Sequence, residues 1–324
     1  MLATVKACLL GVVVLSAGLA ACKDPAPPAG LSTSAAPSAP SRVMSAPPAA
    51  LLPGATIPPT TPPGAPAIAQ DPNPLKLPPR RVTLDPGKRV FTFSAGMLEG
   101  AKLGSTLVLY AATVVGIEGD DLIIEGRGGP SYKVNGSYVI PVPDDARARP
   151  GDAVLTEWNG VLKHAVITRP VKDKLGVRFT DLDARPGEVL LQGGKPVATT
   201  GKHPPARFVK QAEGLAPGNY AALQRGDEWL HVLLVAPAPD GELKRWFALG
   251  FGGAALVADE ASLRPIPIRY TPKIGASVWA EWVGTLRKGT VQTIPDPGLF
   301  TVKFERAGRP ATVGFGRILQ PIEP

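Results

Sequence analysis

The sequence is poor in the residue types that most catalytic and metal-binding sites require. Its 324 residues include only two Cys and three His. Two Cys cannot build a disulfide framework, and three scattered His without a Cys/His cluster do not match a structural zinc site. The motifs G-x-S-x-G, H-E-x-x-H and the P-loop are also missing. The sequence therefore predicts a protein without catalytic activity, metal or cofactor, and leaves a hydrolase open only through a scattered site.

Long helices and blocks of like charge are missing as well. The 38 Pro and 36 Gly interrupt almost every segment, and both residues break helices. The formal charge of +8 is spread out: residues 1–80 contribute +3, which leaves +5 for the rest of the chain. Because there is no basic stripe, nucleic acid is not an expected partner. An anionic polymer or lipid headgroups remain open, since they need only a mild positive field.

The first 22 residues have the pattern of a targeting signal. An apolar run from Ala7 to Ala21 follows the single charge Lys6, and it is shorter than the roughly 20 residues of a membrane-spanning helix. The run ends in Leu19-Ala20-Ala21-Cys22, which resembles the lipobox of bacterial lipoprotein precursors. The resemblance implies that residues 1–21 are a removed signal peptide and that Cys22 is acylated, with palmitate among its chains. An ordinary secretory signal that ends in Cys is the alternative.

The same resemblance implies attachment to a membrane of the cell envelope through Cys22. Each buried CH₂ of an acyl chain contributes about 0.8 kcal/mol, so several chains give a stable anchor. In Gram-negative members of the family, Asp directly after the Cys favours retention in the inner membrane. Lys23 stands there in this chain. The expected location is therefore the outer membrane, facing the periplasm or the cell surface.

Residues 22–80 are predicted to be a disordered tether. This segment holds 17 of the 38 Pro, with Ala, Ser and Thr filling most of the rest, and it contains no aromatic residue. It cannot bury enough apolar surface to offset the loss of chain entropy. Much of it is expected to be polyproline II, at about 3.1 Å per residue.

From about residue 81 the pattern changes to short alternating strands, broken every 8–12 residues by Gly, Pro or Asp. That spacing is typical of an all-β fold. The segment Gly151–Lys163 also repeats at Gly275–Arg287, with six identities in 13 positions. Weaker copies open at Gly104 and Gly218. The sequence therefore predicts four units of about five strands each, with bounds 81–145, 146–205, 206–267 and 268–324.

The second and fourth units resemble Tudor-like small barrels of the Src-homology-3 type. The resemblance rests on the hairpin Val278–Val291 and its copy at 151–167, followed by the third strands Val302-Lys303-Phe304 and Val177-Arg178-Phe179. It implies four tandem small barrels after the tether. Fold similarity of this kind does not carry function with it.

The paired Trp158 and Trp282 are the first candidate ligand contacts. In Tudor-like barrels this position supplies the first wall of an aromatic cage for a methylated cation. The alternative is core packing, because Trp282 shares a strand face with Val278, as Trp158 does with Val154. Trp279 lies on the opposite face and is expected to be partly exposed.

Glu157 and Glu281 complete the candidate site residues. Each could point towards a cationic ligand or pair with Lys163 or Arg287 across its hairpin. The three His (His164, His203 and His231) stand in unrelated contexts and are predicted to be solvated or structural.

Together these patterns predict a lipid-anchored, non-catalytic envelope protein whose barrels bind another envelope protein or act as a spacer. The alternative is the binding of cell-wall glycan or another anionic envelope polymer.

Overall fold

The structure is a computed structural model that describes residues 70–126, 129–143, 149–171, 174–182, 187–192, 208–305 and 309–322. Residues 1–69 lie outside this range, so the predicted signal peptide, the predicted acylation site Cys22 and most of the predicted tether do too. His203 also lies outside it. Within the described residues, no helix has the length and apolar character needed to cross a membrane.

The described residues form an all-β protein, as predicted. The helical parts are short: α1 (Ala95–Leu98) and three 3₁₀ turns at Gly136–Tyr138, Phe251–Gly253 and Glu260–Ser262. The strands, in chain order, are β1 (Arg89–Thr92), β2 (Tyr110–Glu118), β3 (Asp121–Glu125), β4 (Tyr132–Asn135), β5 (Ile140–Pro141), β6 (Ala153–Trp158), β7 (Val161–Val171), β8 (Lys174–Phe179), β9 (Glu188–Gln192), β10 (Val209–Lys210), β11 (Tyr220–Arg225), β12 (Glu228–Pro237), β13 (Arg245–Leu249), β14 (Ala255–Asp259), β15 (Leu263–Pro265), β16 (Ser277–Trp282), β17 (Thr285–Asp296), β18 (Leu299–Phe304), β19 (Ala311–Gly314) and β20 (Ile318–Leu319).

The strands fall into four modules of five: module 1 (β1–β5), module 2 (β6–β10), module 3 (β11–β15) and module 4 (β16–β20). In each module the first strand pairs with both the second and the fifth, and the ladder continues to the third and fourth. All pairings are antiparallel. The long second strand of every module has a register shift, for example between Val291 and Thr293. Such a bulge bends the strand, so its two halves can pair with different neighbouring strands.

The ladders of the described residues are not closed into barrels. Among the described residues the fourth and fifth strands of a module do not pair with each other, so each ladder stays open at that point. Each second strand is instead hydrogen-bonded to the neighbouring module. Tyr110 pairs with Val161, which joins modules 1 and 2, and Leu230 pairs with Thr285, which joins modules 3 and 4. The result is two ten-stranded sheets, the first pair (modules 1 and 2) and the second pair (modules 3 and 4).

The bounds of the modules differ from the sequence-based units at two places. Residues 70–80 were assigned to the tether, yet Leu77 is buried and the Tyr138 hydroxyl donates to Asn73 Oδ1 at 2.8 Å, which ties this segment to module 1. Strand β10 falls in the predicted third unit but pairs with β6 of module 2. The preceding Phe208 is fully buried in the core of module 2.

The modules share apolar cores, as expected for units too small to be stable alone. The largest cluster joins module 1 to module 3. At its centre the Phe247 ring of module 3 lies 5.9 Å from Phe93 and 5.6 Å from Tyr138, both of module 1. The two pairs are therefore packed on each other through apolar side chains.

Candidate functional site

A groove of about 570 Å³ lies between modules 3 and 4 and holds three of the five Trp in the chain. We call it the Trp groove. Trp229 enters from β12, and Trp279 and Trp282 enter from β16. Leu286 and Phe304 complete the apolar floor. Its volume lies within the roughly 300–1,000 Å³ of ordinary ligand pockets.

Two of these indole rings already carry a cation from the protein itself. The Lys288 ammonium lies 5.9 Å from the centre of the Trp279 ring, and the Arg264 guanidinium lies 5.1 Å from that of Trp229. Trp282 instead packs on Phe304, with ring centres 4.9 Å apart. The indole nitrogen of Trp279 is buried without a hydrogen-bond partner among the described residues.

The rim of the Trp groove carries charges of both signs. Five exposed side chains line it: Asp227, Glu228, Arg287, Lys288 and Glu305. None of them forms an ion pair with another described residue. The rim therefore offers three carboxylates and two cations to a ligand.

Trp158 and Trp282, the two paired Trp of the repeat, have different surroundings in the structure. Both are partly buried and pack on their module cores, and Trp158 lies 5.7 Å from the Phe179 ring. Trp282 lines the groove as well, whereas Trp158 does not. Trp279 lies beside Trp282 in the groove, although it leaves the strand on the other face.

The two Glu pair with Arg residues that the sequence did not indicate. Glu157 binds Arg89 of module 1 at 3.0 Å, so it links the first pair internally. Glu281 accepts from the Gly284 amide at 2.7 Å and pairs with Arg317 at 3.3 Å. Neither Glu lines the Trp groove.

A second cluster, which we call the central network, joins modules 2, 3 and 4. It consists of His164, Asp181, Tyr220, His231 and Arg317. The Tyr220 ring lies between the two imidazoles, 4.2 Å from His164 and 4.3 Å from His231. The Arg317 guanidinium contacts both the Tyr220 hydroxyl and Asp181 at 3.2 Å.

Hydrogen bonds hold both imidazoles of the central network. His164 Nδ1 lies 3.0 Å from Asp181 Oδ2, and its Nε2 lies 2.8 Å from the Gly218 carbonyl oxygen. His231 Nε2 lies 3.0 Å from the Gly316 carbonyl oxygen. Both acceptors of His164 are oxygens, so the ring donates at both positions only when it is protonated.

Burial and charge shift the ionisation of this network. Burial opposes the charge of Asp181, but His164 and Arg317 outweigh it and hold the pKa of this carboxyl below its usual range. Burial, helped by the Arg317 charge, lowers the pKa of His231 to about 3. Burial also raises the pKa of Tyr220. His231 is therefore neutral at neutral pH.

The five residues of the central network line a central cavity of about 440 Å³, to which all four modules contribute. Its polar groups bond mainly to one another, and no group of three His, Cys, Asp or Glu in the described residues is placed to hold a metal ion. The hydrogen bonds and ion pairs of the central network hold modules 2, 3 and 4 together.

Two parts of these sites have no signal in the sequence. The approach of His164 to His231 depends on how modules 2 and 3 pack, and no motif reports that. Trp229 sits in module 3, where the repeat is weak, so alignment with the Trp hairpin of module 4 does not reveal it.

The chain matches no protein-family model and no curated protein sequence.

Proposed function

We propose that the protein is a lipid-anchored, non-catalytic binding protein of the cell envelope and that the Trp groove binds a protein partner. The observation that carries this proposal is the concentration of Trp229, Trp279 and Trp282 in one groove, rimmed by charges that form no ion pair with other described residues. Trp and Arg dominate the binding energy of protein interfaces, because they bury a large apolar area and still offer a polar group.

The charges of the rim favour a protein over an anionic wall polymer. Three carboxylates face two cations, so the described rim has a net charge of −1 and does not attract a polyanion. A protein surface presents both signs and can satisfy both. Binding of wall glycan or another anionic polymer is therefore the outcome that the experiment must exclude.

The first experiment places a photo-crosslinking residue at Arg287, on the rim, in intact cells. A matched control carries it at Leu243, which is 53% exposed and lies outside the groove. We expect a discrete protein adduct from position 287 only, and we expect Trp229→Ala to remove it. Equal adducts at both positions, or salt-sensitive retention of the purified protein on wall material without any adduct, would contradict the proposal.

The anchor is tested separately. Cys22→Ala should release the protein from the membrane fraction or leave it as unprocessed precursor. Identical fractionation and identical mass for the variant and the unaltered chain would rule out lipidation at this position.

A further inference from the structure

The two module pairs correspond residue by residue. Tyr110 pairs with Val161 in the first pair as Leu230 pairs with Thr285 in the second. The adjacent hydrogen bond recurs too: the Ala111 amide donates to the Gly160 carbonyl at 2.7 Å, and the His231 amide donates to that of Gly284 at 2.9 Å. Residues of β2 therefore correspond to residues 120 positions later, and residues of β7 to residues 124 positions later.

By this correspondence, part of the Trp groove in the second pair is equivalent to one wall of the central cavity in the first pair. Residues 227–229 and 285–288 line the groove, and their counterparts, residues 107–109 and 161–164, all line the cavity. The same surface is thus present twice in the chain. In the first pair it is covered, and in the second pair it is open.

Module 3 covers this surface in the first pair. The Leu107 amide donates to the Gly253 carbonyl at 2.8 Å, and Leu109 and Leu162 belong to the same buried cluster as Phe247 and Leu249 of module 3. Leu109 is 3% exposed as a result.

Module 1 carries the counterpart of the covering face of module 3. The bulged ladders match, because Gly116 pairs with Ile123 as Ala236 pairs with Phe247. The counterparts of Val235, Phe247 and Leu249 are therefore, in that order, Val115, Ile123 and Glu125. We call these three residues the head face. Val115 is 40% exposed, Ile123 is partly exposed and Glu125 is exposed, so the head face is open to solvent.

We propose that the protein associates head to tail with a second copy of itself, with the head face of one chain in the Trp groove of the next. The contact would reproduce the way module 3 covers the first pair. This inference rests on the proposed role of the Trp groove and names the partner that fills it.

Apolar and charged groups both match in this contact. Val115 and Ile123 would cover the apolar floor, including Trp229. Glu125 takes the place of Leu249, which lines the cavity together with Lys163. The counterpart of Lys163 is Arg287, whose guanidinium has no ion pair in the described part of the chain. A carboxylate would thus meet a guanidinium, and neither group has an ion pair among the described residues, although Arg287 Nε donates to the Thr285 hydroxyl at 3.2 Å.

The contact is heterologous, because two different surfaces meet. Such contacts do not saturate at a dimer and build rings or open chains instead. We therefore expect the mass of the unaltered protein to rise with concentration beyond that of a dimer.

The test is sedimentation velocity on the full chain with Cys22→Ser, which removes the acylation site, over a concentration series. A head variant (Val115→Asp with Ile123→Asp) and a tail variant (Trp229→Ala) should each weaken association about thirtyfold or more, as interface anchors do. A mixture of the two variants should form a dimer and nothing larger. The intact tail of the head variant binds the intact head of the tail variant, and the surfaces left exposed on that dimer are both mutated.

Arg287→Glu provides a second tail variant on an exposed side chain that leaves the groove floor intact. It should weaken association, and Glu125→Arg in the same chain should restore it. Leu243→Asp, on an exposed apolar residue outside both surfaces, is the matched control and should change nothing.

A monomer at every concentration, or a mixture of head and tail variants that stays monomeric, overturns the inference. If position 287 then still crosslinks to another protein in cells, the proposed function stands with a different partner. If no adduct forms either, both proposals fail.

Discussion

The hairpin turn of module 4 contains a backbone conformation that its residue disfavours. Val283 has φ 51°, in the left-handed region, and it precedes Gly284 with φ 80°. This is the geometry of a tight two-residue hairpin turn, for which Asn-Gly is strongly preferred. Module 2 has that pair at the same place: Asn159 has φ 53° and Gly160 has φ 85°. A β-branched residue in this region is an outlier, since its Cβ crowds the backbone.

We therefore expect Val283→Asn to stabilise the protein. The left-handed conformation costs an ordinary residue about 1–2 kcal/mol, and Asn avoids much of that cost. Val283 is 61% exposed, so little burial is lost with it. The net gain in the free energy of unfolding should be about 1 kcal/mol.

Urea unfolding monitored by circular dichroism measures this change. The matched reverse variant, Asn159→Val, should lose a similar amount. The reasoning fails if Val283→Asn is neutral or destabilising while Asn159→Val is tolerated, because the two turns have the same backbone geometry.

Three more predictions concern the buried junctions. Burial lowers the pKa of His231 to about 3 in the folded protein, against about 6.5 when it is solvated. Between these pH values the ring is protonated in the unfolded chain and neutral in the folded protein, so the folded protein loses stability as the pH falls. The equilibrium constant for unfolding should rise up to tenfold for each unit by which the pH falls in that range. The variant His231→Gln should show a weaker pH dependence, and an unchanged slope of the unfolding constant against pH would contradict the prediction. Trp158→Ala and Trp282→Ala should each cost about 3 kcal/mol of stability in urea unfolding, because both indoles pack on a Phe of their module core, but only the second should alter the Trp groove. Gly218→Ala should lower the melting temperature, since Gly218 has φ 84° and an added Cβ would clash with Leu155; an unchanged melting temperature would refute this close contact.

The all-β class was predictable from the sequence, because turn residues and strand alternation act locally. The repeat at Gly151 and Gly275 identified equivalent hairpins for the same reason. Composition was less reliable at the edge of the tether. The Pro-rich stretch before residue 80 suggested disorder, yet Leu77 is buried there, since a few well-placed apolar residues suffice to dock an extended segment.

Contacts between residues far apart in the chain were not predictable, because no local sequence pattern reports them. Glu157 and Glu281 occupy the same place in the repeat, and the sequence suggested partners within each hairpin. Glu157 instead finds Arg89, and Glu281 finds Arg317. Arg89 lies 68 residues away in β1 of module 1, and Arg317 lies 36 residues away, just before β20 of module 4, so only the folded protein identifies them.

The repeat therefore specifies the module and leaves the surfaces free to diverge. At the covered surface of the first pair stand Leu109 and Leu155, which are 3% and 0% exposed. Their counterparts in the second pair are Trp229 and Trp279, which line the open groove. Leu is sufficient where a neighbouring module excludes water permanently. An indole offers a larger apolar area and a face for cations, which suits a surface that must also be stable in water before a partner arrives. The replacement of Leu by Trp at equivalent positions is thus the expected difference between a permanent internal contact and one that forms between molecules.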